Sequence, residues 1–172
     1  MTSTFTAGPK GKKYINFVIT APSKTIDVAV LITRFKANGE LNITSVSEMS
    51  SAILKKREEH SANLIGQLTI YAHANPDGVA IGKDYINLDN FNKYKSDLSS
   101  LSPLFQPGVS FVHFASCKLG NNPTLISRFS QAWNGATVRA FKENQYAEDE
   151  WPMGTGPFVT CEMHMCEVGG AR

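Results

Sequence analysis

The feature that most constrains this chain is a repeated order: a short apolar run, a stretch of helical periodicity, then another apolar run. Val109-Ser-Phe-Val-His-Phe-Ala115 is the clearest such run. Asn122-Pro123 follows as a helix start, asparagine at the N-cap and proline at the first helical position. Leu125, Ile126, Phe129 and Trp133 recur at helical spacing and form one apolar face, and Gly135 ends the helix. Ala136–Phe141 is the next strand. Strands alternating with helices favour a mostly parallel sheet covered on both faces.

The same reading extends in both directions. Tyr14–Thr20 is an apolar strand, closed by Ala21-Pro22. Thr25–Ala37 reads as a helix ending at Gly39, although its β-branched content and Asn38-Gly39 also allow a hairpin. Leu41–Val46 is read as a strand. Ser45-x-x-Glu48 is a capping box opening a helix over about 47–61. Gln67–Ala72 is a strand, Asn75-Pro-Asp-Gly78 a turn, and Val79–Gly82 with Tyr85–Leu88 a short hairpin. Asp89 is the expected N-cap of a helix reaching about Ser100. Residues 142–156 are polar and Gly/Pro-rich, a loop, and Phe158–Met165 is read as the last strand.

A chain of 172 residues suits one α/β domain, here residues 13–172 behind a flexible segment 1–12. The net charge of +2 and the scattered basic residues argue against nucleic-acid binding. No apolar run is long enough for a membrane span, and residues 1–13 lack a signal-peptide core. Three cysteines, Cys117, Cys161 and Cys166, do not resemble a disulfide framework, so the cytoplasm is the default location, with non-classical secretion or effector delivery left open.

Chemistry concentrates at two strand ends. In open α/β sheets, sites form at the carboxyl ends of strands, and His73 and Cys117 each occupy such an end. A right-handed crossover lays their strands side by side. A thiol beside an imidazole is the arrangement of cysteine nucleophilic catalysis, with the backbone N–H groups of Ala74 and Cys117 as natural oxyanion donors. Cys161, His164 and Cys166 suggest a metal, but along one strand Cys161 faces away from the other two and no fourth ligand is evident, so no metal and no cofactor is expected. His113 reads as a core histidine.

LTIYAHANPDGVAIG, followed by PGVSFVHFASCKLGNNPTLISRFSQAWNGATVRAF, resembles the caspase-like fold of cysteine peptidases (clan CD), in particular the bacterial branch of CHAT-type domains and surface-protein modules. The resemblance covers about residues 65–142. It implies a three-layer sandwich around a mostly parallel sheet of about six strands, with His73 as general base, Cys117 as nucleophile and a polypeptide substrate. Asp77 and Glu143 are candidate substrate-binding residues favouring a basic P1 side chain, whereas Arg139 and Lys142 leave an acidic one open. The pattern carries glycine after the histidine, where this chain has Ala74. That departure motivates a second reading, a catalytically silent module binding a protein partner within a bacterial effector or toxin system.

Overall fold

The computed structural model describes residues 11–20, 38–144 and 156–169. In chain order these form β1 (Tyr14–Thr20), β2 (Gly39–Asn42), α1 (Val46–Glu59), β3 (Leu64–Tyr71), β4 (Gly78–Ile81) and β5 (Asp84–Asn87). Then come α2 (Phe91–Ser100), β6 (Phe111–Ala115), α3 (Pro123–Ala132), β7 (Thr137–Phe141), β8 (Phe158–Glu162) and β9 (Met165–Gly169). Seven strands make one sheet in the order β2-β1-β3-β6-β7-β8-β9, and β4 and β5 pair separately. Pairing is parallel from β2 to β7 and antiparallel for β8 and β9. The expected α/β class with a mostly parallel sheet is therefore present.

Alternation along the strands sorts the side chains between two faces. Phe17 and Ile19, Leu68 and Ile70, Val112 and Phe114, Val138 and Ala140 share one buried cluster with Met49 and Ile53 of α1, Leu98 of α2 and Phe129 of α3. All three described helices thus bury their apolar stripes against the same sheet face. The opposite face carries the more polar set, including buried Thr69 and His113. There the Arg139 guanidinium lies 4.3 Å from the Phe158 ring centroid and 5.0 Å from that of Phe111.

The helix starts follow their local chemistry. Ser45 Oγ accepts the Glu48 N–H at 3.1 Å, as expected of the N-cap. The reciprocal half of the box is shifted by one residue, because Glu48 Oε2 accepts from the Thr44 N–H at 2.7 Å. Asn122 caps α3 through the Leu125 N–H at 3.0 Å, and Pro123 occupies the first turn. At α2 the cap position belongs to Asn90 rather than Asp89. Asn90 is committed instead to Asn87, each side-chain oxygen accepting the other's backbone N–H.

The β4–β5 hairpin docks on the start of α1. Asp84 Oδ2 accepts the Val46 N–H at 2.9 Å, and the Lys83 N–H donates to Thr44 O at 2.9 Å. Gly82 makes this approach possible. Its φ is +61°, and a Cβ there would lie 2.1 Å from the Thr44 carbonyl carbon.

Three further expectations are corrected. The strand after residue 38 is Gly39–Asn42 and not Leu41–Val46, since Thr44 and Ser45 turn the chain into α1. The last strand is two: the chain reverses at Met163-His164, with Met163 at φ 52°, so the sheet has seven strands rather than about six. That reversal places Cys161 opposite Cys166, and the two form a disulfide with Cα atoms 4.1 Å apart. The two cysteines therefore face each other rather than opposite ways, and the case for a reducing compartment loses its cysteine argument. The expected helix at 25–37 and most of the flexible segment 1–12 and of the loop 142–156 lie outside the described residues.

His113, in β6, reads correctly as a core residue. Burial, reinforced by the Arg139 charge, pushes its pKa down to about 3, so it is neutral in the folded protein at ordinary pH. Unfolded, it takes up a proton near pH 6.5. Its contribution is complete above pH 6.5 and is lost as pH falls from there toward 3, at up to about 1.4 kcal/mol per unit. Urea unfolding at pH 7 and pH 5 is expected to show a larger stability loss for the wild type than for His113→Phe. Equal losses would contradict this assignment.

Candidate active site

The sheet register decides where the two strand-end residues lie. β3 and β6 are adjacent and parallel, with Tyr71 paired to Ala115. His73 and Cys117 each follow two residues later, so their backbones leave matching positions on neighbouring strands, which are spaced about 4.8 Å apart. Both therefore lie at the carboxyl edge of the sheet. His73 is exposed and Cys117 is half-buried, outside the disulfide. Tyr71 belongs to the same neighbourhood: burial raises its pKa, and the charge of Cys117 raises it further.

The segment after His73 is held by its own hairpin. His73 O accepts the Ala80 N–H at 2.8 Å, and the Asn75 N–H donates to Gly78 O at 3.0 Å. Ala74 bridges Val79 between these two bonds, the narrow, non-hydrogen-bonded position of an antiparallel pair. Its N–H accordingly points away from β4. Ala74 is absent from the non-glycine residues with positive φ, so alanine meets no left-handed strain here. Asn75 Oδ1 fastens the turn by accepting from the Asp77 and Gly78 N–H groups at 2.9 and 3.0 Å and from the Tyr85 hydroxyl at 2.7 Å.

The loop after Cys117 is anchored to the end of β7. Lys118 has φ 56° and its N–H donates to Glu143 O at 3.0 Å. Asn121 Nδ2 donates to Lys142 O at 2.7 Å. Gly120 sits against the backbone, where a Cβ would come within 2.6 Å of Ala140 O. Asn122 joins the two loops, because while Oδ1 caps α3, Nδ2 donates to Pro76 O at 3.1 Å. By sequence Asn122 is legible only as a cap, and the one signal for Tyr71 is the alternation along Thr69, Tyr71 and His73.

The two candidate acidic residues divide between these loops. Asp77 is exposed in the turn after His73. Glu143, also exposed, sits beside the Cys117 loop through its carbonyl, with its carboxylate over Gly156. Nearby, Gly120, Asn121, Pro123, Lys142, Val159, Cys166 and Val168 line a cavity of about 350 Å³. Among the described residues no group of three His, Cys, Asp or Glu side chains is placed to hold a metal ion, and no helix is long and apolar enough to cross a membrane. No protein-family model matches this chain, and no curated protein matches it significantly.

Proposed function

We propose that this chain is a caspase-like cysteine peptidase that cleaves a polypeptide by acyl transfer through Cys117, with His73 as its base. The observation that carries the reading is the register of β3 and β6, which sends both residues off the same sheet edge. The Cys117 sulfur attacks the substrate carbonyl carbon while His73 accepts the thiol proton. The oxyanion forms beside the outward-facing Ala74 N–H. Collapse of the adduct expels the amine, which takes the proton from His73. Water then cleaves the thioester and regenerates the thiol. The alternative, a silent module binding a protein partner, was motivated by Ala74, and the unstrained backbone there weakens that motive.

Alkylation of Cys117 measured against pH, in the wild type and in His73→Ala, tests the proposal. An imidazole that takes up the thiol proton makes Cys117 a faster nucleophile than it is in the variant lacking it. At pH 6 the rate is expected to be at least about tenfold above that of His73→Ala. Identical rates in the two proteins at every pH would remove the peptidase reading and leave the binding module.

A further inference from the structure

We infer that the Cys161–Cys166 disulfide is a thiol-exchange clasp whose reduction releases β9 from the sheet and opens the cavity beside the loop that follows Cys117. This goes beyond the proposed function and holds whatever chemistry Cys117 performs.

The two ends of the hairpin are held in different ways. The turn is fastened to α3: the Met163 N–H donates to Ser130 Oγ at 2.8 Å, and Ser127 Oγ donates to Met163 O at 2.5 Å. The Met163 side chain also covers Gly135, where a Cβ would lie 2.8 Å from its methyl carbon. These ties hold β8 and the turn without help from the disulfide. In β9, by contrast, Met165 is 73% and Val168 68% exposed, and Cys166 and Glu167 are exposed as well. Among the described residues the strand is held by its ladder to β8, by the disulfide, by Gly169 beneath the Phe158 ring and by the approach of Cys166 to Pro123 at the start of α3. A ribbon with so little buried side chain is marginal in water.

Burial also sets the direction of exchange. Cys166 is exposed, whereas Cys161 is fully buried. A small dithiol therefore attacks the Cys166 sulfur as its thiolate. The Cys161–Cys166 bond breaks, Cys161 leaves as a thiolate and takes up a proton, and a mixed disulfide forms on Cys166. The second thiol of the reagent displaces Cys166, so two electrons reach the protein and the dithiol departs as a cyclic disulfide. Cys166 and Val168 form one wall of the cavity, with Val159 beside them. Release of β9 removes that wall and exposes the edge of β8. Gly120 and Asn121, which also line the cavity, belong to the loop anchored at Lys142 and Glu143.

Two measurements on the full chain test the clasp. Alkylation of native protein prepared without reductant, followed by denaturation and intact mass, should leave Cys161 and Cys166 unlabelled, and all three cysteines should label after reduction. Labelling of Cys161 and Cys166 without reductant, in protein never exposed to one, overturns the proposal. Amide hydrogen exchange should then be faster over Met165–Gly169 by about 30-fold in dithiol-treated wild type and in Cys166→Ser, the factor expected for opening a loop closed across five residues. Rates in β3 and α3 should not change. Unchanged exchange in β9 overturns the proposal. Acceleration spread over every strand in both samples also overturns it, because the bond would then support the whole sheet rather than β9.

Discussion

On the proposed peptidase reading, replacing Cys117 with alanine is expected to lower thiol-dependent peptide hydrolysis by at least about a thousandfold, because alanine carries no nucleophile to form the acyl bond. His73→Ala should cost a similar factor. In the proposed mechanism base and nucleophile act in one step, so the double variant is expected to be no worse than either single one. Both positions lie at the rim of the sheet, Cys117 half-buried and His73 exposed, and surface substitutions of this kind usually change stability by less than about 0.5 kcal/mol. Loss of activity with an unchanged urea midpoint would therefore report lost chemistry rather than lost fold. The assay is hydrolysis of a diverse peptide library under reducing conditions. Equal rates for wild type and Cys117→Ala would remove the enzyme claim, and the alkylation profile of the same samples would show whether a reactive thiol survives it.

The legible parts of this fold are those where local chemistry and tertiary packing agree. Asn122-Pro123 and Gly135 bracket α3 because one pair satisfies the first-turn N–H groups and the other residue accepts φ of +76°. The apolar run read as a strand at Val109–Ala115 likewise forms β6, with Val112 and Phe114 in the core. From these elements the crossover rule alone placed the strands of His73 and Cys117 side by side, and the pairing of Tyr71 with Ala115 is the form that adjacency takes.

The unread parts have physical reasons too. Met163-His164 carries none of the usual turn residues, so nothing local announced the reversal, and Met163 occupies the left-handed region because Ser127 and Ser130 hold its backbone from α3. Without that turn the opposition of Cys161 and Cys166 was invisible. Lys118 is a similar case: its positive φ follows from a bond to Glu143 O across the sheet edge, a long-range cause with no local signature. The tie from Asn122 to Pro76 depends on two loops that meet only after β3 and β6 have paired.

The largest stability effect is expected at Trp133, at the end of α3. It is fully buried, with its ring centroid 5.2 Å from Phe129, 5.6 Å from Phe105 and 6.1 Å from Phe114. Phe114 lies in β6, three residues before Cys117, so this aromatic stack backs the strand that presents the thiol. Trp133→Ala leaves a cavity the size of an indole between a helix and a sheet that cannot both collapse into it, at a cost of about 3–5 kcal/mol. Trp133 Nε1 is buried without a hydrogen-bond partner among the described residues, and such a group carries a desolvation cost of about 1–3 kcal/mol. Trp133→Phe removes that cost along with part of the volume, so its net effect is expected to be less than half that of the alanine variant. Urea titrations of the three proteins at pH 7 give the comparison. A phenylalanine variant as unstable as the alanine one would contradict the desolvation cost assigned to the indole N–H.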